Sequence, residues 1–487
     1  MNRNNLLGHV ALALTLILAA AFAGQIRRYH RTHVPHVPRV EVEEVEEIRA
    51  VPTDEEEERA EVIVRFRPGT SLEQMERLAA RLNDRVEDHY EHVRGYAVVE
   101  DADGLDAEAV AGEYMSQSEV EWAEPNMRIE LDPELTDSDS MERLHSLPTD
   151  KPNDPMLGEQ WGLINTGQRS GKSRADIGAL HAWLKKSTGS EEVVVAVLDT
   201  GVDYTHSDLV NNIWLRPESL APYEDKQLGT VNDEHGYNAA DNNGDPMDDN
   251  GHGTHCAGII GAEGDNGRGI AGVNWRVQIM PLKFLDGSGS GSTKDAIEAI
   301  NYVIDRKKKG VNVRVISASW GSTMRSRGLE EAIKRAGEEG ILFVAAAGNS
   351  SVNSDRTPHY PSSYPLPNVL AVAALDRFDN LASFSNYGER SVHVAAPGKE
   401  ILSTWLEEDF REASGTSMAT PMVSGVAALV LSVEPKLSVA ELRERLIKSV
   451  EPVEGLRGKV TSGGRTCAAA AVGLGTHEHD LAAAALP

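Results

Sequence analysis

From residue 151 onward the chain carries short, almost uninterrupted apolar runs, at 193–198, 277–285, 313–319, 341–347, 369–374 and 392–396. A strand with one wetted face alternates apolar and polar residues, whereas a strand covered on both faces loses that alternation. Between the runs lie segments of helical period, among them 293–308 and 329–339. Buried strands alternating with amphipathic helices predict a mostly parallel sheet sandwiched by helices, a three-layer α/β/α domain over 151–475. The 43 glycines and the low aromatic content, 5%, suit close backbone packing in such a domain.

Residues 59–131 have a different rhythm. Val62, Val64 and Phe66 alternate with polar neighbours over 61–68, as in a half-buried strand. Leu72, Met75, Leu78, Ala79 and Leu82 share one face of a helix over 71–82. Extended pieces at 95–100 and 120–129 flank a second helix over 107–116. A strand–helix–strand–strand–helix–strand order predicts a small α+β domain, its antiparallel sheet carrying helices on one face. Residues 24–58 show no hydrophobic period and read as a linker; within 41–61, eleven acids face two bases, as in a solvated spacer. Residues 132–150 are acidic and contain proline, which suits a cleavable joint, and 476–487 form a short tail.

The first 23 residues carry an address. Arg3 precedes an apolar run over 6–23, and Ala21, Phe22 and Ala23 offer a small-x-small cleavage site. This predicts a signal peptide over 1–23. The alternative is an uncleaved anchor, since about 18 apolar residues can just span a bilayer. Either way the remainder leaves the cytoplasm, as a secreted protein or a membrane-anchored precursor. A net charge of −28 argues against nucleic acid as a partner. The two cysteines, Cys256 and Cys467, cannot build a disulfide framework and lack metal-ligand spacing.

Three segments carry chemistry. The run 193–198 ends at Asp199 and is followed by Gly201, and in open α/β sheets sites form beyond the carboxyl ends of strands. His252 lies in Asn250-Gly251-His252-Gly253-Thr254-His255, at the opening of a helix rich in small residues. Ser417 opens another such helix, in which Pro421 is tolerated in the early turns. A serine hydroxyl is a poor nucleophile at neutral pH; it needs an imidazole base, and the base needs an orienting carboxylate. The helix N-terminus at Ser417 supplies N–H groups where negative charge develops, and Asn349, at another strand end, is a second candidate donor. His255 reads as a structural histidine and Cys256 as a packed thiol.

The order Asp, His, Ser, with the motifs Val197-Leu198-Asp199-Thr200-Gly201, His252-Gly253-Thr254-His255, Ala346-Ala347-Gly348-Asn349 and Gly415-Thr416-Ser417-Met418-Ala419-Thr420-Pro421, resembles the subtilisin-like serine protease (subtilase) family over about 151–475. The resemblance implies a serine-type endopeptidase that works through an acyl-enzyme, with Asp199, His252 and Ser417 as its triad and Asn349 in the oxyanion hole. It implies that Gly287, Ser288, Gly289 and Ser319, Trp320, Gly321 form two edges pairing with an extended substrate. Small wall residues at 345–348 would leave room for the residue before the cut. Residues 59–131 resemble the family's inhibitory propeptide, an intramolecular partner removed by self-cleavage between 127 and 150.

The resemblance also implies structural Ca²⁺, held by Asp154, Asp208 and the loop 263–270, with Asn266 giving its side chain and Glu263, Arg268 and Ile270 their carbonyls. A second, weaker loop offers Asp241, Asn243 and Asp245. The enzyme is read as a monomer that acts on proteins or peptides and meets a membrane only if the N-terminal segment stays uncleaved. Two other functions share these residues: a peptide ligase or cyclase using the same acyl-enzyme, and an inactive binding module.

Overall fold

Both halves of the chain adopt the layers that their apolar periods predict. The computed structural model describes residues 59–132 and 151–475, all within one compact unit. The signal or anchor segment, the acidic linker, the joint beyond residue 132 and the tail lie outside the described residues.

The first domain comprises β1 (Glu61–Phe66), α1 (Leu72–Arg81), β2 (Arg85–His89), β3 (Tyr96–Glu100), α2 (Ala107–Met115) and β4 (Val120–Pro125). Its sheet is antiparallel, in the order β2-β3-β1-β4. Val62, Val64 and Phe66 point to one face and are buried with Met75, Leu78, Val110 and Tyr114. Ile63, out of phase with them, is equally buried but belongs to a different core, shared with the helices of the large domain. The face left bare by the two helices is therefore covered by the rest of the chain. After β4 the chain continues as a short extended strand, β5 (Arg128–Glu130).

The large domain is built on β6 (Gly189–Asp199), β7 (Tyr237–Asn238), α3 (His252–Gly261), β8 (Arg276–Lys283), β9 (Ser290–Ser292), α4 (Thr293–Lys308), β10 (Val313–Ala318), α5 (Arg327–Glu338), β11 (Leu342–Ala346), β12 (Val369–Leu375), β13 (Val394–Pro397), α6 (Thr416–Val433), β14 (Val450–Pro452) and β15 (Gly464–Thr466). Nine of these strands form one sheet, ordered β14-β15-β13-β12-β11-β10-β6-β8-β7. Every neighbouring pair is parallel except β14 and β15 at one edge. In β6, Val193, Val195 and Val197 pack with residues of α3 and α6, and Val194, Ala196 and Leu198 pack with residues of α4 and α5. Two apolar faces explain why the alternation is absent from the sequence. Helix α6 is apolar and long enough to cross a membrane, but nearly all of it is buried in the core.

The topology fixes where a site can form. From β6 the chain builds β8 on one side and then β10 on the other, so the strand order reverses at β6. Such a reversal opens a crevice beyond the carboxyl end of the strand, and Asp199 is the last residue of β6.

The small domain docks by capping helices. The carboxylate of Glu124 accepts from Ser326 Oγ at 2.7 Å and from the first N–H groups of α5, Arg327 at 3.0 Å and Gly328 at 3.1 Å. Asn126 Oδ1 accepts the Lys294 N–H of α4 at 2.9 Å, and the Met127 carbonyl accepts that of Thr293. These groups satisfy orphan donors that each helix N-terminus leaves.

Candidate active site

Asp199 and His252 meet at the crevice. The Nδ1 of His252 lies 2.7 Å from Asp199 Oδ1, and the same oxygen accepts the Thr200 N–H at 2.8 Å. His252 is the first residue of α3, reached through Gly251 at φ +108; a Cβ on Gly251 would meet the Trp405 ring at 2.4 Å. Asp199 is fully buried and His252 nearly so. A carboxylate held this way fixes the imidazole tautomer and favours its protonated form.

Ser417 is the second residue of α6. Its Oγ donates to the Ser319 carbonyl at 2.9 Å, and Ser319 Oγ donates back to the Ser417 carbonyl at 2.8 Å. The structure thus brings Ser417 to the end of β10, whose neighbour in the sheet is β6.

Asn349 reaches the same place from the end of β11. Gly348 makes the turn at φ +99, and a Cβ there would meet Asn386 Nδ2 at 2.4 Å. Asn349 Oδ1 accepts both the backbone N–H and the hydroxyl of Thr416, each at 2.9 Å. With its oxygen so engaged, the amide presents Nδ2 toward the start of α6, where a Cβ built on Gly415 would lie 3.3 Å from it. Thr416 orients this amide, a role that the sequence reading missed.

The chain's own strand β5 lies in the cleft. It pairs antiparallel with β9, Ser290 opposite Glu130 and Ser292 opposite Arg128. On its other side Glu130 bridges to Gly321, and Leu131 N–H donates to the Gly289 carbonyl at 2.9 Å. The pairing edge therefore runs through 289–292, two residues beyond the expected Gly287 and Ser288. Those two form a turn instead: Asp286 Oδ1 accepts Ser288 N–H and Ser288 Oγ, and the Gly287 carbonyl accepts Asn250 Nδ2. Trp320 is buried, its indole N–H on the Leu198 carbonyl at 2.8 Å, so only the backbone of this segment faces the strand's side of the cleft.

The neighbours of the pair are held chemically quiet. His255 Nε2 lies 3.0 Å from the carbonyls of both Ile401 and Arg411, and burial lowers its pKa to about 4. Burial pushes the Cys256 thiol up, well away from the thiolate, although Asp199, His252 and Cys256 bring ligand atoms within 4.8 Å of one another. Cys467 is also a free, buried thiol.

The expected cation residues fall into two groups. Asp154 and Asp208 are both buried and converge on the loop after α3. Asp154 accepts the N–H groups of Asp265 and Asn266; Asp208 accepts the N–H of Ile270 at 2.9 Å and Asn266 Nδ2 at 2.8 Å. Burial raises the pKa of both, Asp154 to about 6, and the Asp208 charge raises Asp154 further. Two buried carboxylates drawn to one loop suit a hard divalent cation by their oxygen chemistry, although the partners they have in this structure are N–H donors. Asn266 Oδ1 is turned to the Arg268 N–H, and Glu263 uses its side chain on Asn211. Asp241, Asn243 and Asp245 are exposed and close a turn on themselves, with Asn238 Nδ2 on Asp241 and Asp245 N–H on Asn243 Oδ1.

The profile of the subtilase family matches residues 190–475, more than half the chain. This chain is a member of the subtilase family. A fervidolysin N-terminal prodomain profile matches residues 50–126, so the small domain of this subtilase is its prodomain. Among named relatives, the Thermophilic serine proteinase of Bacillus sp. (strain AK1) is 40% identical over 277 residues, covering 56% of this chain and 60% of that protein. Thermitase of Thermoactinomyces vulgaris is 37% identical over 280 residues, covering 57% of this chain and 88% of thermitase. The match thus spans less than two thirds of the Bacillus relative. A solved cold adapted subtilisin-like serine proteinase matches 63% of this chain and 97% of its own, at 29% identity and a TM-score of 0.49.

Proposed function

We propose that this subtilase is an exported serine endopeptidase, made as a zymogen that processes itself. The observation that carries the reading is the 2.7 Å pair of His252 and Asp199 at the end of β6, with Ser417 held at the end of the neighbouring strand β10 and an extended strand already in the cleft. A cleft that reads backbone through two edges accepts many peptides in one register.

In this reading a substrate replaces β5 between 289–292 and Gly321. Ser417 Oγ–H turns from the Ser319 carbonyl to the imidazole, and His252 takes the proton as Oγ attacks the peptide carbon. Asp199 stabilises the imidazolium without taking its proton. The carbonyl oxygen becomes anionic and is met by Asn349 Nδ2 and the N–H groups at the start of α6. His252 then passes the proton to the departing amine, leaving an acyl-enzyme. Water then attacks the acyl carbon and gives a proton to His252; as the bond to Ser417 Oγ breaks, His252 returns that proton to Oγ and the carboxylic acid product leaves.

Calcium would be held by Asp154, Asp208, the Asn266 side chain and the carbonyls of Glu263, Arg268 and Ile270, with Asp241, Asn243 and Asp245 as a weaker set. Bound there, the ion would supply positive charge to Asp154 and Asp208, and those two residues would hold the segment at 154 to the loop after α3. Export rests on residues 1–23, as a cleaved signal or a temporary anchor.

The test compares residues 24–487 with the same chain carrying Ser417→Ala, each treated with a fluorophosphonate and weighed intact. The wild type is expected to shed its prodomain and take the label, and the variant to do neither. A wild type that neither shortens nor labels, with or without calcium, ends the peptidase reading.

A further inference from the structure

The register of β5 seats one more residue. With Glu130 opposite Gly321 and Leu131 bonded to Gly289, Asp132 comes next, and its Oδ2 accepts the Asn349 backbone N–H at 3.1 Å. This is the position of the residue whose carbonyl would face Ser417. Behind it stands His359. A Cβ on Gly321 would meet His359 Cε1 at 2.1 Å, and a Cβ on Gly348 would meet the ring at 3.0 Å. The imidazole is thus wedged between the two walls of the cleft, one from β10 and one from β11.

His359 is 6% exposed, and its Nδ1 is buried with no hydrogen-bond partner among the described residues. Buried polar atoms are almost always paired, so an orphan nitrogen on a ring set between the two walls of the cleft calls for a partner. Burial holds the His359 ring below the usual imidazole range, and the Asp132 carboxylate and the Ala346 backbone oppose that effect. Walls of small residues alone would accept a large apolar side chain; the imidazole turns the remaining space polar. A carboxylate beside the ring favours its protonated form, in which Nδ1 also donates; with the Asn349 N–H that makes two donors, which suit a carboxylate best.

We propose that His359 makes this pocket select aspartate or glutamate on the acyl side of the bond that is cut. The inference rests on the peptidase reading above and names its substrate class. A site built to hydrogen-bond a polar group discriminates strongly against analogues that leave its donors unpaired.

The test uses the full chain after self-processing, with active sites counted by fluorophosphonate. The peptides are Ile-Glu-Leu-X-aminomethylcoumarin, with X as Asp, Glu, Asn, Gln, Leu or Phe; the first three residues copy 129–131. The expected result is kcat/KM about tenfold or more higher for Asp and Glu than for Asn, Gln, Leu and Phe. His359→Leu should abolish that ratio while the fluorophosphonate still reacts. Labelled wild-type enzyme that prefers Leu or Phe, or treats Asp and Asn alike, overturns the inference and leaves the peptidase reading intact. If His359→Leu does not fold, the wild-type Asp to Asn ratio decides alone. An unlabelled wild type that cuts none of the peptides overturns both.

Discussion

Pro421 leaves the carbonyl of Ser417 without its helical donor, and the hydroxyl of Ser319 takes that place at 2.8 Å. Four residues along a helix an N–H would ordinarily close the turn, but proline has none. The freed carbonyl lets β10 grip the first turn of α6, with Cys256 Sγ adding a weak contact at 3.6 Å. A residue that looks like a helix fault therefore anchors the backbone of Ser417.

Ser319→Ala should leave that buried carbonyl with only the thiol. The expected loss is about 1–2 kcal/mol of stability, read as a lower midpoint in denaturant, together with slower fluorophosphonate labelling. Unchanged midpoint and labelling would mean that the contact holds nothing.

Asn349→Ala removes Nδ2 and also frees Thr416. We expect kcat to fall about 10²–10³-fold with KM little changed, because the donor acts where charge develops. Steady-state kinetics on a fluorogenic peptide checks this.

Prodomain affinity should fall as pH rises. Burial, then the charge of Asp225 in the large domain, then Glu91 and Glu87 raise the Asp88 carboxyl from 3.8 to about 7. A carboxyl with a higher pKa in the complex than when released binds its proton more tightly in the complex. Affinity is thus full below 3.8, declines between 3.8 and about 7, and is flat above. Glu298 of α4, also raised by burial and by Asp88, reinforces the trend. Activity released from the complex should therefore rise with pH over that window, and Asp88→Asn should flatten the rise.

Chelation should lower the melting temperature, since an ion bound only by the folded state adds about 2.7 kcal/mol at a hundredfold excess over Kd. Asp208→Asn is expected to melt lower in calcium and to ignore the chelator. In chelator the wild type should also lose stability as pH rises from 3.8 to about 6, because Asp154 holds its proton more tightly when folded. A melting temperature blind to both changes would exclude the site.

The residue after Asp132 in the sequence is Pro133. A prolyl nitrogen carries no N–H and its ring crowds the leaving side, which suits an inhibitor better than a substrate. N-terminal sequencing of the processed enzyme should place its start beyond residue 133. Pro133→Ala should move the start to residue 133.

The sheet, its helices and the residues Asp199, His252, Asn349 and Ser417 were legible because buried strands and helix starts leave local signatures. The bounds of α4, 293–308, could be read from period alone, and the capping box of Ser292 and Asp295 fixes its start in the structure. What stayed hidden depends on contacts far apart in sequence. Nothing local in Ser290, Gly291 and Ser292 marks them as the pairing edge, because a strand edge needs no particular side chains. His359 carries no motif, and its place is set by Gly321 and Gly348 packing against its ring. Glu124 looks like one acid among many until the starts of α5 and the prodomain are brought together.

β5 and the cleft belong to one polypeptide. While the joint after residue 132 is whole, the inhibitor is present at the effective concentration of a short tether, on the order of millimolar, and weak contacts suffice to keep it seated. Cutting that joint leaves the pairing of β5 with 289–292 and Gly321 as it is. It would make reseating a collision between two molecules, so dilution would then set how long the cleft stays empty.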